Sequence, residues 1–391
     1  MAGRAYRLRH FHSRLTGLTK KDCTRLPDAR CGKNATMKRM TVANNLLSPI
    51  SYPLSPISPS PPEAATTKGL SLLSGGLDSL LAICILREQG CYVEAITFAS
   101  PFFNIEPAKK GAAQLGVKLN IVDFTDDITE LVETPPHGFG GAMNPCIDCH
   151  ARMIRRAGER VRELGWDFVA TGEVVNQRPM SQNRRSLAIV AKDCGVEDIL
   201  VRPLSAQLLE PTKPELDGKI DRSRLYAIEG RSRHEQQALA EHFGLKEYPS
   251  SAGGCLLTEK LFCNKLRDVK ARGQLRDRTE LLLLKFGRHF VLPGGAKFII
   301  GRNQTENERL QKTIVDGRLL LRPIGTPGPS CLLSAGASDE DLATAKALCA
   351  AYCDASANGY VRIRVFGPDP APLSEETITP MNRAEARPWQ L

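Results

Sequence analysis

The sequence predicts an α/β fold, a doubly wound parallel sheet, followed by a smaller α+β domain. Three observations lead there. From Lys68 onward, short apolar runs alternate with helical segments, the pattern of βαβ units. The first of these runs, 69–73, passes through Gly75-Gly76 directly into a helix. After about residue 283 the composition turns to short strands broken by Gly and Pro, with one helix over 339–352 and a strand over 360–366.

In chain order, residues 1–67 read as a disordered extension. Its first 40 residues carry eleven Lys or Arg against two Asp, and 48–62 is a Pro/Ser-rich spacer. The Arg-rich start has some features of an organellar transit peptide, but serine is sparse and no amphipathic period is visible. A flexible tail, or a start at Met37 or Met40, is the preferred reading. Residues 68–205 form the nucleotide-binding domain, with strands expected at 69–73, 92–98, 117–123 and 167–170. Helices are expected at 79–89, 105–115, 126–133 and 151–164. A long Gly-rich loop at 135–146 ends in Asn144-Pro145-Cys146-Ile147-Asp148-Cys149-His150. Gln177 to Gln182 is polar and expected to cap the site. Residues 206–282 read as mostly helical, and 283–391 as a separate α+β domain with a loose last twenty residues.

The net charge of +10 resembles a nucleic-acid signal, but the first 40 residues hold nearly all of it. An RNA-binding surface must therefore come from local patches. No apolar run is long enough for a membrane span. Twelve cysteines without a secretory signal peptide favour a reducing, cytoplasmic setting in which most thiols are packing residues.

The stretch Ser74-Gly75-Gly76-Leu77-Asp78-Ser79 carries the strongest chemical signal. A strand, a Gly-Gly turn and a helix aim free backbone N–H groups at an anion. Glycine permits close approach of the backbone, Ser74 and Ser79 add hydroxyls, and Asp78 can hold a metal or orient water. No lysine closes the loop, so this is not the Walker type. Thr97 and Phe98, at the end of the second strand, are placed beside an adenine. Cys146 and Cys149 form a C-x-x-C, open to zinc, iron–sulfur, disulfide or persulfide chemistry, and Cys255 sits on a glycine turn as an exposed thiol might. Cys255 and Cys263 would complete a four-ligand zinc site.

The loop Ser74–Ser79 resembles the PP-loop of the N-type ATP pyrophosphatases, of adenine nucleotide alpha hydrolase-like fold. Asn144-Pro145-Cys146 with Cys149, Thr171-Gly172-Glu173 and Gly254-Cys255 follow in the order found in the tRNA thiouridine synthases, both MnmA/TrmU-like and ThiI-like. The resemblance covers about 68–275. It implies that ATP with Mg²⁺ adenylates a uridine carbonyl oxygen in tRNA, releasing pyrophosphate, and that sulfur then displaces AMP. It places Ser74, Gly75, Gly76, Asp78, Ser79, Thr171 and Gly172 on the nucleotide and makes Asp78, Cys146 and Cys255 catalytic. Sulfur would arrive from a desulfurase relay or as sulfide. The extra Cys149 departs from the 2-thiouridylase pattern and resembles thiolases in which three cysteines, here Cys146, Cys149 and Cys255, hold a [4Fe-4S] cluster. Gly301-Arg302-Asn303 with Asn307 resembles the NFACT RNA-binding domain, and Arg152, Arg155 and Arg156 are candidates for tRNA phosphate. Two other readings stand: a PP-loop ligase or amidotransferase with structural zinc, and a non-catalytic RNA-binding protein on a nucleotide-binding fold.

Overall fold

The computed structural model describes residues 66–249, 254–314, 317–354 and 359–391, which belong to one compact unit, Asn44–Leu391. The expected N-terminal extension falls almost wholly outside the described residues, as does the Ser251-Ala252-Gly253 part of the second glycine turn.

The first half alternates strand and helix. It runs β1 (Lys68–Leu72), α1 (Leu77–Glu88), β2 (Tyr92–Ala99), α2 (Glu106–Leu115), β3 (Leu119–Asp123), α3 (Thr125–Glu133), α4 (Cys146–Glu163), β4 (Phe168–Ala170), α5 (Arg184–Cys194) and β5 (Leu200–Val201). The five strands pair in parallel in the order β3-β2-β1-β4-β5. Both faces are covered, so the α/β doubly wound expectation holds. Leu70, Phe98 and Val169 pack on one side with Ile154 and Val161 of α4, and Ala95, Phe168 and Ala170 pack on the other with Leu80 and Ile83 of α1. Cover on both sides explains why Val93 to Ala99 of β2 are buried without alternation, Glu94 and Thr97 included.

A linking region follows, with α6 (Lys213–Leu216), α7 (His234–His242), α8 (Lys260–Ala271) and α9 (Arg278–Leu283) joined by short 3₁₀ turns. The second sheet comprises β6 (Arg288–Val291), β7 (Lys297–Ile300), β8 (Leu319–Ile324), β9 (Cys331–Leu333), β10 (Val361–Phe366) and β11 (Pro372–Ile378). Their order is β11-β10-β8-β9-β7-β6, all antiparallel. Helix α10 (Gln304–Gln311) lies between β7 and β8, and α11 (Asp339–Ala351) covers the sheet with Ala345, Leu348 and Cys349. The region joining the two sheets is tied by a buried ion triad in which Glu280 of α9 accepts from Lys297 Nζ at 2.8 Å and Arg318 Nη2 at 2.9 Å.

Two sequence expectations need correction. Helix α4 starts at Cys146, five residues before the expected Ala151, so the C-x-x-C lies on a helical first turn and not on the loop. The last twenty residues are not loose. β11 pairs with β10, Ala386 is in the core, and the amide of Leu391 donates to the His289 carbonyl at 3.0 Å.

Candidate active site

The loop after β1 packs as a phosphate cradle requires. Gly75 has φ +83°, and a Cβ there would lie 2.2 Å from the Pro107 carbonyl carbon, so both its backbone angle and its contact require glycine. Gly76 is the N-cap of α1 without a side-chain cap, which leaves first-turn amides open to an anion. Ser79 Oγ donates to the Gly76 carbonyl at 2.7 Å and lies 3.2 Å from Ser74 Oγ.

Asp78 leads into the site. Its Oδ2 accepts from Gln177 Nε2 at 2.8 Å and Arg233 Nη2 at 3.0 Å, while its Oδ1 is buried without a partner. An unsatisfied buried carboxylate oxygen beside an anion cradle fits a divalent cation, and Asp78 would hold it. Gly172 backs the loop, because a Cβ there would lie 2.5 Å from the Asp78 carbonyl carbon. Next to it Glu173 is buried between Arg202 Nε (2.8 Å), His150 Nδ1 (2.9 Å) and Thr171 Oγ1 (3.1 Å). Burial alone would raise its pKa, but Arg202 and His150 outweigh that and hold it at about 2.

The three cysteines converge. Cys146 opens α4 and Cys149 follows one turn later on the same side. Asn144 Nδ2 donates to Cys146 Sγ at 3.1 Å, and its Oδ1 accepts from the Ala142 amide at 3.0 Å. Cys255 is brought across by an antiparallel bridge to Phe103, and the Leu256 amide donates to the Phe102 carbonyl at 3.1 Å. It is half-buried rather than exposed. Burial pushes its thiol up to about 12, with Cys146 among the neighbours that raise it further. Cys149 is raised well above its ordinary value by burial and then by Cys255 and Cys146. Both are therefore thiols, not thiolates, at neutral pH. Cys263 is buried in the core, its Sγ 3.2 Å from the Leu257 carbonyl. Among the described residues, no group of three or more His, Cys, Asp or Glu side chains is disposed to hold a metal ion, so the thiols as placed do not fit a cluster or a zinc.

A cleft of about 400 Å³ adjoins Gly254 and Leu256, lined by Ser100, Phe103, Asn104, Lys109 and Lys285 among others. Thr97 and Phe98 do not flank it. Both are buried, and Phe98 packs edge-to-face on Phe124 at 5.2 Å. The arginines of α4 are taken as well. Arg152 and Arg156 pair with Asp127 at 3.0 and 3.1 Å, and Arg155 donates to the backbone carbonyls of Cys194 and Asp193. Sequence reasoning missed Arg233, His150 and Arg202. The only hint of the first was a basic Gly230-Arg231-Ser232-Arg233 turn before a helix.

Sheet order, loop and glycine packing together define an α/β domain with a phosphate-cradle loop after its first strand. More narrowly, residues 64–207 match the family described as thiamine biosynthesis protein (ThiI), and 287–390 match the NFACT protein RNA binding domain. The first match spans the parallel sheet and the second the antiparallel sheet. It is 26% identical over 54% of its length to the tRNA-specific 2-thiouridylase MnmA of Geobacter metallireducens, covering 61% of that protein. It is 24% identical over 46% of its length to a probable tRNA sulfurtransferase of Caldanaerobacter subterraneus, covering 54% of that protein. The chain therefore spans 61% and 54% of the lengths of these two relatives. A solved 4-thiouridine synthetase–RNA complex with bound ATP aligns at 21% identity and a TM-score of 0.32, covering 55% of this chain and 52% of that one, a likeness too slight to argue from. Among the described residues no helix is long and apolar enough to cross a membrane.

Proposed function

We propose that this protein is an ATP-dependent tRNA sulfurtransferase of the cytoplasm. The observation that carries the reading is that one compact unit holds both an intact Ser74–Ser79 cradle and three mutually neighbouring thiols, Cys146, Cys149 and Cys255. The cradle binds the ATP phosphates, with Gly172 behind it and Asp78 on Mg²⁺. A uridine carbonyl oxygen attacks the α-phosphorus and pyrophosphate leaves. Attachment to AMP turns that oxygen into a good leaving group, which makes the ring carbon open to sulfur. The terminal sulfur of a Cys255 persulfide forms the new bond to carbon and AMP departs. Cys146 then attacks Cys255 Sγ, breaking the S–S bond and leaving the thionucleoside with a Cys146–Cys255 disulfide. A cellular dithiol reduces that disulfide, and a desulfurase relay recharges Cys255 by passing on the outer sulfur of its own cysteine persulfide, its cysteine leaving as the thiol. The NFACT-like domain contributes tRNA contacts.

The test uses the full chain with unmodified tRNA, following pyrophosphate release and thionucleosides by mass spectrometry. Asp78→Ala should abolish pyrophosphate release. Cys255→Ser should keep that release and lose thiolation, because sulfur arrives after activation. Thionucleoside formation undiminished in Cys255→Ser sinks the assignment of sulfur to that residue. Iron at cluster stoichiometry in anaerobically purified protein would replace the persulfide by a three-thiolate cluster.

A further inference from the structure

The phosphate cradle is served by a cation from far along the chain. Arg233 lies 155 residues beyond Asp78 and places Nη2 at 3.0 Å from Asp78 Oδ2. It is held there by its surroundings. The Gly230 amide donates to the Val175 carbonyl at 2.8 Å, and Glu229 bridges Val175 beyond β4. Behind it, α7 packs Ala240, Leu239 and Phe243 into the same core cluster as Leu80 and Ile83 of α1. Gln236 of α7 is fully buried and approaches Gln177 Oε1 at 3.5 Å, leaving its own Oε1 without a partner.

A guanidinium that engages both carboxylate oxygens makes the stronger, bidentate pair. Arg233 takes one, and Asp78 Oδ1 stays buried and unpaired. Leaving such an oxygen unpaired is destabilising unless a ligand satisfies it. Asp78 stands in the uncapped first turn of α1, on the loop that carries the Ser74 and Ser79 hydroxyls, and its Oδ2 takes the Gln177 amide and the guanidinium. Donors surrounding one under-used carboxylate complement a polyanion that carries a divalent cation.

We propose that Arg233 is a phosphate-binding residue of the nucleotide site, and that its bond to Asp78 is a resting contact exchanged on binding. The guanidinium turns to the terminal phosphate oxygens of a nucleoside triphosphate, and Asp78 is released to the cation. This rests on the nucleotide reading of the Ser74–Ser79 loop. In the free protein Arg233 and the cation compete for one carboxylate, whereas in the triphosphate complex they act together. Removing the guanidinium therefore moves two affinities in opposite directions, which loss of a structural prop does not do.

The experiment measures binding to the full chain, with α,β-methylene ATP plus Mg²⁺ and with AMP by calorimetry, and with Mn²⁺ alone by electron paramagnetic resonance. Arg233→Ala should weaken the triphosphate analogue by about ten- to a hundredfold. AMP affinity should hold within about twofold and Mn²⁺ alone should bind more tightly, as expected when one charge competitor is removed. Arg233→Lys should recover part of the triphosphate affinity, because a point charge replaces the fork. Arg231→Ala, at an exposed neighbour, should match the unaltered chain. Unchanged triphosphate affinity in Arg233→Ala overturns the proposal, as does parallel weakening of all three ligands. If the unaltered chain binds neither nucleotide, the nucleotide reading itself falls and this inference with it.

Discussion

Replacing Glu173 by Gln deletes a buried charge and almost no volume. The native carboxylate is 5% exposed and is held by Arg202, His150 and Thr171. Its pKa is depressed from 4.5 to about 2, because Arg202 and His150 overcome the upward push of burial. A depression of that size corresponds to roughly 3 kcal/mol of stability at neutral pH. For a lowered acid, the unfolded chain takes up the proton first. The contribution is therefore complete above pH values near 4.5 and is lost as pH falls toward 2. Glu173→Gln also leaves Arg202, 7% exposed, without its counterion. A buried ion pair broken on one side costs about 3–5 kcal/mol. Urea unfolding of both proteins at pH 7 and pH 4 measures this. The gap between them should be about 3–5 kcal/mol at pH 7 and about 1 kcal/mol smaller at pH 4. A gap below about 1 kcal/mol at pH 7, or one that does not narrow at pH 4, refutes the reasoning.

Gly172→Ala puts a methyl 2.5 Å from the Asp78 carbonyl carbon and 2.6 Å from the Ser79 amide nitrogen, both backbone atoms that cannot rotate away. It should cost about 1–3 kcal/mol of stability and at least about tenfold in affinity for an ATP analogue. Calorimetry showing unchanged affinity would mean that the β4 exit does not shape the cradle. Cys255, with its thiol at about 12, should be alkylated by iodoacetamide at a rate still climbing above pH 9. A rate profile for the Cys255 peptide that levels off below pH 9, followed by mass spectrometry, would show a thiolate that the structure does not support.

The loop and its parallel sheet were legible because local signals agree with the global fold: Gly75 and Gly76 stand between a strand and a helix that both hold. The start of α4 was misplaced because the Gly-rich run before it drew attention from two helix-start signals, Pro145 and the first-turn Asp148. β11 was missed because it is an edge strand. Its residues are mostly exposed and charged, and it is held by pairs such as Arg364–Glu375 at 2.6 Å that depend on β10. The basic face of α4 showed its charge but not that Asp127 of α3 would neutralise it. Arg233 lay furthest out of reach, since its partner is fixed by tertiary packing of α7 on α1 and by no local pattern.

The sulfurs of Cys146 and Cys149 share a rigid rod, with about 4.5 Å of rise between their positions. The third is fastened elsewhere, to Phe103 at the wall of the cleft. The first two thus keep a fixed spacing along one helix, while the place of Cys255 follows the Ser100–Phe103 turn to which its backbone is bridged. The wall of the cleft and the position of the third sulfur therefore share one stretch of backbone, joined at Phe102 and Phe103.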